Sequence, residues 1–129
     1  MRNLHLFLLL FLIGNVGFSQ AGTYTIDVTP SEGFELFKDE NGRMTIPPLI
    51  VGTATIKLKN NKSVLIIHNK NEADEFRESG TWAQSEKPNI INISIVYETE
   101  TVILEFEILT YESGIYLKPV DRIIFYKKK

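Results

Sequence analysis

An all-β fold, an antiparallel up-and-down barrel or strongly curved meander of about eight strands, is what this sequence predicts. Three observations lead there. From Thr53 onward apolar residues recur at every second position rather than at helical spacing. The alternating runs are short, and turn-forming residues such as Asn60-Asn61, Glu98-Thr99-Glu100 and Ser113-Gly114 separate them. No internal repeat or low-complexity tract interrupts the pattern.

In chain order, Tyr24 to Val28 is the opening strand. Thr29-Pro30-Ser31-Glu32 fits a capping box with proline at the first helical position, so one helical turn through Phe37 is expected. A hairpin, Phe34 to Lys38 against Arg43 to Ile46, competes with it, and Pro47-Pro48 ends either form. Ala54, Ile56 and Leu58 alternate with threonine and lysine, as a strand with one wet face does. Asn60-Asn61 is read as a two-residue turn, because asparagine tolerates positive φ. The return strand is Ser63 to His68, and polar Asn69 to Glu75 forms a loop. Phe76 to Gln84 follows, with Gly80 marking a bulge or bend. Ile91, Ile93, Ile95 and Tyr97 define the next strand. In Thr101 to Leu109, Val102, Leu104, Phe106 and Ile108 face in while Glu105 and Glu107 face out. Ile115 to Lys118 and Arg122 to Lys127 complete the set, split by Pro119-Val120-Asp121. Several strands, Val64 to Ile67 among them, are apolar on both faces, and the outward face needs cover or a partner.

The first 19 residues read as a secretory signal: Arg2, then the run Leu6 to Ile13, then small residues Gly17 and Ser19. Cleavage is expected between Ser19 and Gln20. The apolar run is about half the 20 residues a membrane span needs. Residues 20–129 then form one slightly acidic domain, periplasmic or extracellular. The chain has no cysteine, which removes disulfides, thiolate chemistry and a lipoprotein anchor. That absence favours a bacterial envelope or secreted setting. Lys127-Lys128-Lys129 is a solubilising end, and the overall acidity argues against a nucleic-acid partner. Asn61-Lys62-Ser63 and Asn92-Ile93-Ser94 match the glycosylation tripeptide, a pattern common by chance.

Gly52-Thr53-Ala54-Thr55-Ile56-Lys57-Leu58, Asn60-Asn61-Lys62-Ser63-Val64, Ser79-Gly80-Thr81-Trp82, Ile91-Asn92-Ile93 and Ile124-Phe125-Tyr126-Lys127 succeed one another in an order that resembles a small lipocalin-like domain of the bacterial secreted kind. The resemblance spans residues 52–127 and implies a barrel that binds a small ligand. The Gly-x-Trp signature of the first lipocalin strand has no counterpart before Gly52, so no binding residue is carried over. Ser113-Gly114-Ile115-Tyr116-Leu117 with the lysine-rich end also resembles, over a shorter stretch, the last strands of a secretion-sorting domain.

Chemistry has few footholds. With His5 in the signal, His68 is the remaining histidine, read as a partly exposed residue at a strand end. One histidine without cysteine does not make a standard metal site unless carboxylates converge on it. Glu105 and Glu107 share a face about 7 Å apart, but alternate with core residues and read as solvated. No phosphate-binding loop is present and no cofactor is expected. The aromatics remain. Trp82, Tyr97, Phe106 and Tyr116, with Leu104, are candidates to line a ligand cavity, with Arg122 near its mouth to meet an anionic group or to pair with Glu112 or Asp121. The expected function is non-catalytic binding of a small, largely apolar ligand. The alternative is a protein-interaction or envelope-structural module acting through a sheet face or edge.

Overall fold

Residues 20–44 and 53–129 are described by the structure, a computed structural model. Eight antiparallel strands follow one another in chain order: β1 (Gly22–Asp27), β2 (Ala54–Leu58), β3 (Ser63–His68), β4 (Phe76–Gln84), β5 (Ile90–Val96), β6 (Thr101–Tyr111), β7 (Gly114–Pro119) and β8 (Phe125–Lys128). Each pairs with its neighbour, and β8 returns to β1 through Tyr24↔Lys128 to Asp27↔Phe125, closing the barrel. Closure leaves no free edge over the paired length, and that is how a small all-β chain avoids edge-to-edge association. The predicted signal peptide and Pro47-Pro48 lie outside the described residues.

Alternation decides what goes inside. Tyr24, Ile56, Leu58, Val64, Ile66, Trp82, Ile91, Ile93, Ile95, Phe106 and Leu117 are buried in one contiguous cluster, with Leu104, Ile108, Ile115 and Tyr126 packed against it. The outward positions Thr23, Lys57, Arg77, Thr81, Asn92 and Glu105 are polar and wholly or partly exposed. Among the described residues no helix is long and apolar enough to cross a membrane.

The segment after β1 is a 3-10 helix, Ser31–Phe37, followed by a single bridge, Lys38↔Met44, around a turn in which Asp39 Oδ1 accepts from the backbone N–H of Asn41 and Arg43. The expected helical turn through Phe37 is thus present, and of the competing hairpin the one bridge Lys38↔Met44 forms among the described residues. The capping box does not form: Pro30 occupies the cap position and no side chain caps the helix. This strap packs on the outside of the barrel. A Cβ on Gly33 would stand 2.7 Å from the Phe125 ring, so only glycine admits this approach. Beneath it Phe125 and Tyr116 meet edge to face with centroids 6.0 Å apart, and Tyr111 leans on both.

Two local expectations are corrected. The β2–β3 connection is a three-residue loop, closed by Lys62 N–H to Lys59 C=O at 3.0 Å and Lys59 N–H to Ser63 C=O at 3.0 Å. Lys62 takes the positive φ of 71° rather than either asparagine, as in a turn followed by a bulge residue. Asn61 instead accepts from the Ser63 N–H and hydroxyl. Gly80 makes no bulge, since it stays in register with Val64 and Ile95. Its lack of a side chain serves a close backbone approach to Ser94.

Candidate functional site

The two ends of the barrel differ. At the end holding the β2–β3, β4–β5 and β6–β7 turns, side chains close the interior. The Trp82 indole donates to the Lys59 carbonyl at 2.9 Å, and Lys62 Nζ sits 4.0 Å from the ring centroid on the outside. Residues 20–21 cross beneath: the Tyr24 hydroxyl donates to the Gln20 carbonyl at 2.7 Å, and Gln20 bonds to the Gln84 side chain. Burial pushes the Tyr24 phenol up to about 12.

The opposite end collects the β3–β4, β5–β6 and β7–β8 connections. Here β6 outruns β7: pairing stops at Phe106↔Pro119, with one further bond from Val120 N–H to the Glu105 carbonyl at 3.1 Å. The gap is a crevice of about 250 Å³, lined by Ile103, Leu104, Glu105, Phe106, Pro119, Val120, Asp121 and Arg122. The N–H that Pro119 lacks would face β8, where pairing ends at Leu117↔Tyr126, while the ladder to β6 runs one residue further through Val120. Arg122 Nε is 3.6 Å from Asp121 Oδ1 on an exposed surface, a weak pair that leaves most of the guanidinium donors uncommitted. Beside it the Tyr126 phenol is raised by burial, with the Arg122 charge pulling the other way.

Three of the six cavity candidates, Leu104, Phe106 and Arg122, therefore come together at this crevice. The other three do not. Trp82 is buried at the closed end, where its N–H finds a backbone carbonyl. Tyr116 faces outward under the strap, because Leu117, not Tyr116, has the inward parity set by Ile108↔Leu117. Tyr97 lies past the end of β5, is 44% exposed, and turns its hydroxyl to Glu78. The barrel centre is filled: Trp82, Ile93 and Leu104 form a row across β4, β5 and β6.

Sequence reasoning passed over a second group at the same end. His68 ends β3 on the inward face beside Ile66, and Phe76 stacks on its imidazole with centroids 4.2 Å apart and planes 10° from parallel. His68 Nε2 lies 2.9 Å from Glu78 Oε1. The nitrogen is buried, yet the carboxylate oxygen is off the line of an aligned hydrogen bond. The Tyr97 hydroxyl donates to the other Glu78 oxygen, and this bond first, then burial and the acidic neighbours, raises the Tyr97 phenol. The available signal was parity: Glu78 shares a face with Gly80 and Trp82, so a charge stands on the core side of β4. Glu105 and Glu107 lie on the outward face of β6, opposite Asn92 and Ile90. Among the described residues no three histidine, aspartate or glutamate side chains group as a metal site needs.

A shallower groove of about 570 Å³ lies over β3 and β4 around Leu65, Ser79 and Gly80, and gathers no charged pair or aromatic cluster. No protein-family model, no curated protein and no solved structure matches this chain.

Proposed function

We propose that the protein is a secreted, non-catalytic binding protein whose ligand is small, largely apolar and anionic at one end. The signal-like residues 1–19 and the lipocalin-like order of strands support the compartment and the class. The observation that carries the reading is the crevice at the end of β7, where Leu104, Phe106, Pro119 and Val120 sit beside Arg122. Apolar walls with a few polar groups that fix orientation are the usual make-up of a small-molecule site, and here, among the described residues, the charged groups are Glu105, Asp121 and the one cation, Arg122. Its volume suits a short chain or a single ring, since drug-sized ligands occupy roughly 300–1,000 Å³. The filled centre moves the ligand from the middle of the barrel to its rim.

A medium-chain fatty acid titrated into the purified protein, followed by amide-resolved NMR, tests this. Saturable shifts confined to residues 103–106 and 119–122 are expected, with affinity about tenfold weaker in Arg122→Gln. A folded protein that shows no such shifts would end the ligand reading. The alternative, a protein-docking module, draws on Val96 and Ile103, which are 74% and 61% exposed on the outer face of β5 and β6. Binding of a protein partner that survives Arg122→Gln but is lost on Val96→Asp, outside the crevice, would favour it.

A further inference from the structure

His68, Phe76, Glu78 and Tyr97 are left without a role by the crevice, and their arrangement has its own chemistry. The β3–β4 hairpin sets His68 opposite Phe76 and Ile66 opposite Glu78. The turn after β5 brings Tyr97 back onto Glu78. We propose that this cluster is a second binding site, for a small organic cation of the alkylammonium class.

Glu78 stands on the apolar side of its strand with its side chain 19% exposed. A carboxylate in that position needs compensation. Among the described residues its partners are the neutral Tyr97 hydroxyl and the His68 imidazole, and no lysine or arginine reaches it. Carboxylates accept about four hydrogen bonds, so acceptor capacity and charge both remain. Around it are two aromatic side chains that solvent reaches: Phe76 is 52% exposed and Tyr97 44%. Phe76 spends one face on His68. Aromatic faces carry the negative lobe of the ring quadrupole, so they and the carboxylate attract the same partner, a soft cation. Anions are repelled by the same groups. A metal ion would find two protein ligands, His68 Nε2 and Glu78, where stable sites use three or four. An alkylammonium ion needs no fixed coordination number and gains from both rings and charge.

Choline is the probe, and its uncharged isostere, with carbon in place of nitrogen, is the control. Amide-resolved NMR on the purified protein should show saturable choline shifts centred on residues 68, 76–78 and 97. The isostere should bind about tenfold more weakly. Glu78→Gln should weaken choline about tenfold, and Tyr97→Leu should weaken it severalfold. Tyr97→Phe keeps the ring and frees a carboxylate oxygen, so affinity should be retained. Tyr97 is exposed, so its two variants carry the test even if Glu78→Gln fails to fold. Equal binding of choline and its isostere, undiminished binding in Tyr97→Leu, or no shift from folded protein would each overturn the proposal. So would zinc ions shifting these residues where choline does not.

Discussion

Gly80→Ala is the substitution whose cost the structure specifies most closely. An added Cβ would stand 2.0 Å from the Ser94 carbonyl oxygen, 3.0 Å from its carbonyl carbon and 3.3 Å from the Ile95 Cα, where ordinary contact begins at 3.4 Å. Every obstructing atom is backbone of β5, held in a five-pair ladder with β4, so no side chain can rotate aside. Without the clash, alanine would gain about 0.5–1 kcal/mol by restricting the unfolded chain. Overpacking against rigid surroundings costs about 1–3 kcal/mol, and displacing a backbone by more than an ångström belongs at the top of that range. The net expectation is a loss of about 2 kcal/mol. Gly42→Ala is the control. Nothing lies within 4 Å of its Cβ position, and its φ of +77° adds only the left-handed penalty of about 1 kcal/mol. Urea unfolding read by far-UV circular dichroism would give both values. A lower midpoint with unchanged slope is expected for Gly80→Ala. A variant as stable as the parent, or less affected than Gly42→Ala, would refute the close-approach reading.

Trp82→Phe removes one of two bonds to the Lys59 carbonyl, which keeps that from Lys62 N–H, and empties part of a buried site; it should cost about 1–3 kcal/mol in the same unfolding assay. Tyr24, pushed up to about 12 from the usual 10.0, holds its proton more tightly folded than unfolded. Its contribution is therefore complete below the ordinary tyrosine range and is lost as pH rises through the folded value; stability should fall by on the order of 2 kcal/mol across that window, and Tyr24→Phe should flatten the fall. Tyr97 is raised chiefly by its bond to Glu78, so ultraviolet titration of the phenols should show one tyrosine moving to lower pH in Glu78→Gln, and that same step missing in Tyr97→Phe.

Strands were legible because period-two alternation is a local property. Ser63 to His68 and Phe76 to Gln84 coincide with β3 and β4 to the residue. Parity was equally readable where it was followed: Val102, Leu104, Phe106 and Ile108 were placed inward, and Phe106 is buried with Leu104 and Ile108 packed on the core. Tyr116 departs from the cavity expectation because its parity is opposite to that of inward Leu117. Its burial under the strap depends on Gly33 reaching Phe125, a contact between residues remote in sequence. Turn chemistry at residues 60–62 was only half legible. Asparagine's tolerance of positive φ was known, but closure at Lys59 and Ser63 passed that role to Lys62.

The location of any site follows from how the interior is shared out. A closed eight-stranded barrel has room for side chains or for one small ligand. Tyr24, Trp82 and Phe106, with eight aliphatic side chains, take that room here. Chemistry is therefore confined to the ends, and one end is plugged by Trp82, Gln20 and Gln84. At the other, β7 ends at Pro119 while β6 runs on, and the crevice opens there beside Arg122. On the far side of that rim, Glu78 puts a carboxylate on a face that alternation reserves for apolar groups. Local pattern marks Pro119 as a strand breaker and Glu78 as an inward charge. What it does not encode is that both reach the same end of the barrel, since that requires the register of all eight strands at once.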